Sequence, residues 1–390
     1  MLESLVVYSS LFIIMFVCGD ISARRQKKYL AKKGKRGAKP PFLTPEMGVL
    51  LLSFTFVFGC RWGVGRDFFR YLDSFVGPVP ERYEFLFQAI TRALQGLGAH
   101  YSIFFGVWAF LDVFLLYYAL RNYQHLFPYI AFFLIFGSYY LPMMNAIRQG
   151  ISGLIFLCSI QYIEQKKLGG FAVCFILAVL FHKLSVILFV FYPLLRYKDD
   201  WFKSIPLQLV LFVVGVFFSF HGEILLRLIE TPFVWFGEKM GYERYSFDLL
   251  FSDRYDRTQF GNNTGLGIWV KMLLTLPVIL LSRELKSYYR SSLFNMFYSL
   301  YFLGVILTLL LEKSIILNRV AMFFTIFQLI MLSALAHYCL NIKKGYKYQL
   351  VGIMVLLLHI PLFLNMISNP NSATPYLFFW QQSDFGQPTF

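Results

Sequence analysis

The sequence predicts an all-α protein, a polytopic transmembrane helical bundle of about twelve spans with one long extracytoplasmic loop. Three observations carry this. The 390 residues are 58% hydrophobic and only 15% charged, against about 25% charged in a soluble domain. The mean hydropathy is +0.59, an excess of apolar surface that no water-soluble core absorbs. The apolar residues come in runs of about 20, the length that crosses a bilayer, and basic residues fall between alternate runs.

In order, runs start near residues 4, 46, 101, 127, 146, 168, 184, 204, 264, 291, 318 and 347. The first is followed by "ARRQKKYLAKKGKRGAKPP", with nine Lys/Arg between Arg24 and Lys39 and no acid among them. A cleaved secretory signal has its charges on the other side. The positive-inside rule therefore places 24–45 as a basic cytoplasmic loop, with the N-terminus outside. Alternation puts 121–126, 164–167, 196–203, 283–290 and 341–347 inside as well, and each carries Lys or Arg. The outer side receives 61–100, the turns near 145 and 183, the long 221–263 loop and the turn at 312–318. The whole of 1–390 reads as a single integral membrane domain.

The net charge of +15 follows this pattern, so the expected partners include membrane lipids and exclude nucleic acid. Five cysteines (Cys18, Cys60, Cys158, Cys174, Cys339) lack zinc spacing and read as membrane-packed thiols. No nucleotide-binding glycine loop, nucleophile elbow or metal-ligand motif is present, so neither a cofactor nor a metal site is expected.

The outer side nevertheless holds many arginines, against the positive-inside rule. Arg is permanently charged and presents a planar fork of donors that matches phosphate. The outward set of Arg61, Arg66, Arg70, Arg82, Arg92, Arg148, Arg227, Arg244, Arg254, Arg257 and Arg319 suggests a site for a lipid-linked phosphate or diphosphate. The competing reading pairs each with a nearby acid, such as Asp67, Asp73, Glu81, Glu84, Asp253 or Asp256. Arg148 is the sharpest case, because a charge inside a bilayer is costly unless it faces a watery cavity or a partner. "MNAIRQ" marks the boundary between two runs, and His182 ends the next outward-going run. The two would lie at the same depth on adjacent helices, at the mouth of an outward cavity.

These segments look familiar together. "NAIRQGISGLIF", a short basic turn and "FILAVLFHKLSVILF" resemble the signature of the EpsG family of exopolysaccharide and O-antigen polymerases, the Wzy-type proteins. "VGRDFFRYLDSF" resembles the family's Gly-x-Asp-x-x-x-Tyr stretch through Gly65, Asp67 and Tyr71. "YEFLFQAITRAL" looks like the following amphipathic helix, and "ILNRVAMFFTIFQ" is similar to a late Arg-containing segment. The resemblance covers roughly residues 50–340.

It implies a GT-C-like glycosyltransferase of the bacterial inner membrane with its active site facing the periplasm. Its substrates would be undecaprenyl-diphosphate-linked oligosaccharide repeat units, and a chain-length regulator is a further expected partner. The growing glycan would move from undecaprenyl diphosphate to the terminal sugar of a new unit. Arg148 is then the expected stabiliser of the leaving diphosphate, helped by Arg319 and the Arg61/Arg66/Arg70 group, without a metal. His182 is the first candidate base and Asp67 the second. Tyr71, Asn145, Gln149, Lys183, Arg254 and Arg257 are expected to hold substrate.

A lipid-linked oligosaccharide flippase is the main rival. It would spread polar residues through the bilayer depth, whereas here they gather at one face. A polytopic acyltransferase, another GT-C transferase and an O-antigen ligase are the remaining alternatives.

Overall fold

The computed structural model describes residues 2–33, 41–221, 265–311, 315–368 and 376–381. They are overwhelmingly α-helical, as an all-α polytopic membrane protein requires. Helices dominate because each residue's backbone polar groups are satisfied within its own segment, which lipid demands. Five described helices are long and apolar enough to cross a membrane: Leu2–Lys32, Tyr101–Ala119, Ser292–Leu311, Thr325–Ile342 and Tyr346–Ser368. Pro45–Gly59, Leu168–Phe181 and Ile205–Phe220 are shorter apolar helices. Where the sequence suggests one domain, the chain packs as two compact units, 1–197 with 336–390 and 198–335.

In the first unit, α1 (Leu2–Lys33) has 32 residues. At 1.5 Å per residue it is roughly 48 Å long, well beyond a hydrocarbon core of about 30 Å. Its basic end, expected as the start of a loop, is helical through Lys33. Polar ties hold this end in place. Arg25 pairs with Glu46 at 2.7 Å, and the Gln26 amide donates to the Asn122 carbonyl at 3.0 Å.

Next, α2 (Pro45–Gly59) starts with proline in its first turn, where a missing N–H costs nothing. It ends where Gly59 lies so close to Gly106 that a Cβ would approach the Gly106 Cα to 2.9 Å. The chain then forms a two-residue strand β1 (Arg61–Trp62), paired antiparallel with β2 (Leu377–Phe378).

Two short amphipathic helices follow, α3 (Phe68–Val76) and α4 (Phe85–Gly96). Both lie against α5 (Tyr101–Ala119) through three stacked aromatic pairs. These are Phe68–Phe105 at 4.6 Å, Phe75–Phe104 at 4.6 Å and Phe87–Trp108 at 4.8 Å. Each such pair contributes about 0.5–1.5 kcal/mol beyond its buried area. The Gln95 amide latches α4 to the end of α3 by donating to the Phe75 and Gly77 carbonyls at 2.6 and 2.9 Å.

The run expected from 127 is not one span. It breaks into α6 (Phe127–Phe136) and α7 (Tyr140–Asn145), because Gly137 ends the first piece and Ser138 takes φ 59°. A second break at Ala146 (φ −113°, ψ 53°) starts α8 (Ile147–Glu164), so Arg148 falls in the first turn of α8. A tight turn with Lys166 at φ 61° returns the chain as α9 (Leu168–Phe181), and α8 and α9 pack as an antiparallel hairpin. At His182 the backbone becomes extended. The run expected from 184 starts as a 3-10 segment, 183–190, and becomes α-helical only in α10 (Phe191–Tyr197).

The second unit contains Ile205–Phe220, Gly265–Leu280, Ser282–Tyr289, Ser292–Leu311, Ile315–Met322 and the start of Thr325–His337. Lys286 is folded inward there, bonded to Asp200 at 2.6 Å and to the Phe202 carbonyl at 2.7 Å. Residues 222–264 include Arg254, Arg257 and nearly all of the expected long loop, and they lie outside the described residues.

Candidate functional site

The site is built on Glu84, the residue that caps the N-terminus of α4. Its backbone is extended and its carboxylate makes no capping bond to its own helix. The carboxylate turns instead toward the hairpin of α8 and α9. The stacked aromatics under α3 and α4 fix that direction.

Three groups converge on the carboxylate. Arg148 Nη1 forms a salt bridge with Oε2. His182 Nδ1 lies 3.2 Å from Oε1, and the backbone N–H of Lys183 donates to the same oxygen at 3.2 Å. The side chains of Glu84 and His182 are 7% and 8% exposed, and that of Arg148 is 21% exposed. The cluster is therefore shielded, with the arginine the most open of the three. Shielding matters because the same charges would be worth little in bulk water.

Burial alone would push the Glu84 carboxyl upward. The hydrogen bond from His182, the charge of Arg148 and the Lys183 amide outweigh it and bring the carboxyl down to about 2. Glu84 is thus an anion at any working pH. An anionic carboxylate only accepts hydrogen bonds, so Nδ1 of His182 must carry its proton. In the neutral ring, Nε2 is then the basic nitrogen.

Aromatic rings position Arg148. Its guanidinium lies 4.3 Å from the centre of the Tyr83 ring and 5.9 Å from that of Phe87. Tyr71 also hydrogen-bonds to it. Burial pushes the Tyr71 phenol up to about 12 despite the arginine's charge, so the phenol stays protonated. The guanidinium Nε has no hydrogen-bond partner.

The structure thus brings Arg148, His182 and the Lys183 backbone onto one acid, with Tyr71 beside Arg148. The Lys183 side chain itself is exposed. Asp67 heads α3, where its carbonyl accepts from the Tyr71 N–H at 3.0 Å. Gly65 at φ 98° sits against Asn145, and a Cβ there would lie 2.6 Å from Asn145 Oδ1. This joins the Gly-x-Asp segment to the start of "NAIRQ". Gln149 is buried beside Arg148 in the first turn of α8. Arg66 and Arg70 are exposed.

Arg61 behaves differently from a surface cation. It is 1% exposed and bonds the Phe58 and Val64 carbonyls and Met144 Sδ at 2.7, 3.2 and 2.9 Å. Arg319 is half-buried on Ile315–Met322, in the second unit. Among the described residues, no three His, Cys, Asp or Glu side chains are grouped as a metal site would need.

Sequence reasoning named Glu84 only as one of six acids that could pair with an arginine. The signal was available: it is the last acid before the amphipathic helix, and a membrane arginine needs a partner.

The fold and the site together define a class, an integral membrane protein with a shielded acid–arginine–histidine cluster under a short amphipathic helix. Neither the curated proteins nor the solved structures compared contain a match to this chain. The EpsG family model matches residues 47–378, and the chain belongs to the EpsG family. At the level of the family this supports a Wzy-like polysaccharide polymerase of glycosyltransferase type.

Proposed function

We propose that the protein extends a polysaccharide on the periplasmic side of the bacterial inner membrane, for O-antigen, capsule or exopolysaccharide. It transfers the growing glycan from undecaprenyl diphosphate to the terminal sugar of a new lipid-linked repeat unit. The observation that carries this reading is the convergence of Arg148 and His182 on Glu84.

The acceptor hydroxyl oxygen attacks the anomeric carbon, and its proton passes to Nε2 of His182. The bond from that carbon to the diphosphate oxygen breaks, and its electron pair leaves with the diphosphate. Glu84 holds His182 in the tautomer that accepts this proton and stabilises the imidazolium that forms. Arg148 donates to the departing diphosphate through N–H groups that Glu84 does not use. At rest the cluster sums to zero charge. It becomes a cation as the leaving group becomes more anionic, so the electrostatic gain is concentrated in the transition state.

Tyr71, Asn145, Gln149 and Lys183 line the approach for sugar hydroxyls. Arg66 and Arg70 supply cations nearby. Asp67 is the base if His182 only orients substrate. Arg254, Arg257 and Arg319 would contact the lipid-linked substrate, and a chain-length regulator would set where elongation stops. The step needs no metal.

The test is the polymerisation rate of the purified full chain in nanodiscs with defined repeat units. His182→Ala and His182→Gln are expected to lose about 10²–10⁴-fold in rate while still binding the lipid-linked unit. EDTA should leave the unmodified protein active. Strong inhibition by EDTA, relieved by a divalent cation, would remove the metal-free part. Full activity in both His182 variants would remove the base assignment. In cells, loss of a polymerase leaves single repeat units, loss of a flippase leaves none outside, and loss of a ligase leaves long unattached chains.

A further inference from the structure

Two ionisable side chains, an arginine and an aspartate, are enclosed in the first unit. Arg61 is 1% exposed and Asp112 is 0% exposed. The Arg61 fork is used on one side only, and Nη2 has no hydrogen-bond partner. Both carboxylate oxygens of Asp112 also lack one. A buried polar atom left without a hydrogen-bond partner carries its full desolvation cost.

Both groups approach one face of α5. Phe105, Trp108 and Asp112 are spaced three and four apart and so share that face. The Arg61 guanidinium lies over the Phe105 ring at 4.6 Å, and Asp112 is two turns further along. Trp108, between them, has a buried Nε1 that also lacks a partner. The opposite wall is the α7–α8 junction. Arg61 Nη1 donates to Met144 Sδ, and a Cβ on Gly150 would lie 3.7 Å from Asp112 Oδ1. Four orphaned polar atoms from three side chains therefore border one seam between α5 and the start of α8. Water is the occupant that supplies donors to a carboxylate and acceptors to a guanidinium and an indole at once.

We propose that ordered water in this seam links Arg61 to Asp112, and that this link positions the first turn of α8, and with it Arg148, for catalysis. Arg61 and Asp112 are positioning residues. Arg61 bonds to Met144 and Asp112 lies against Gly150, and these two residues bracket Arg148 in sequence. The inference rests on the reading of Arg148 given above.

The test is a double-mutant cycle on the full chain in nanodiscs, with Asp112→Asn, Arg61→Gln and the double variant. Each single change is expected to lower kcat by about 30-fold or more with KM within about threefold, and to lower Tm. The double variant should stay within about threefold of the better single variant, because the second change removes a link that the first has already broken. Losses in kcat that multiply in the double variant would overturn the positioning role.

Tm supplies a second cycle that does not depend on activity, so failure of the catalytic reading alone would leave its coupling intact. If the single variants do not fold, Arg61→Met with Asp112→Leu tests the same coupling. Folding of this pair supports the proposal, and its failure overturns it. A high-resolution cryo-EM map should show water density between Nη2 and the carboxylate, and a dry gap would overturn the hydrated pair.

Discussion

Glu84 turns two cations or potential cations into one unit, and its removal should be felt through both. Glu84→Gln keeps shape and one acceptor but loses the charge. The expected loss is about 10²-fold in kcat, of the order seen when an oriented general base loses its anchor. The pH dependence has a definite sign. The folded carboxyl is depressed to about 2, so the stability and activity it contributes are fully present above the usual carboxylate pKa and are lost only as pH falls through about 2. Infrared spectroscopy of the Glu84 carboxyl in the full chain, assigned by difference against Glu84→Gln, should therefore find it ionised throughout pH 5.5 to 9. A protonated Glu84 carboxyl anywhere in that window would overturn the anionic anchor.

Arg148 provides a second test at this scale. Its plane is set by Tyr83 and its fork by Glu84, and Lys can reproduce neither. Arg148→Lys should fall within about tenfold of Arg148→Ala in polymer-forming rate on a gel. Near-normal activity in the Lys variant would show that a point charge suffices.

At the scale of elements, the helix starts were legible in the sequence because apolar runs and their caps are local. Helices begin within a few residues of the runs read at 46, 101, 146, 168 and 204. The interruptions were not legible. "FPYIAFFLIFGSYYLPMMN" is apolar throughout, and its break depends on Ser138 adopting φ 59°, which is decided by what packs around it. The switch from α to 3-10 backbone after His182 has the same origin. Hydropathy has no period that separates these cases.

The seat of α3 depends on one glycine. Gly65 combines φ 98° with contact to Asn145, so Gly65→Ala should cost about 1–3 kcal/mol. The cost would appear as a lower Tm in detergent together with reduced activity. Adding Asn145→Gly should recover part of the Tm, since it relieves the contact but not the backbone strain. An unchanged Tm in Gly65→Ala would show that α3 can shift freely.

For the whole molecule, the family assignment was legible because five short motifs appear in the right order. The acid at the centre of the site was not, since Glu84 and His182 are 98 residues apart and it is the packing of α4 against α9 that brings them together. The basic end of α1 supports the proposed orientation, with that end inside. In a background without other reactive thiols, Arg92→Cys should react with an impermeant reagent in intact cells and Lys32→Cys should not. Both positions are exposed in the structure. The reverse labelling pattern would invert the topology and move the Glu84 cluster to the cytoplasmic side.

The small β1–β2 pairing has a consequence in time as well as in space. Tyr376 donates its N–H to Ser4 Oγ at 2.9 Å across 372 residues, and Phe379 donates to the Cys60 carbonyl at 2.9 Å. The segment that carries Arg61 therefore lacks its last strand until translation has passed residue 379. The helices can be threaded into the bilayer one after another as they are made, but this face is sealed only afterwards. A ribosome-stalled or prematurely terminated product would hold nearly every span and still leave the strand that carries Arg61 without its partner.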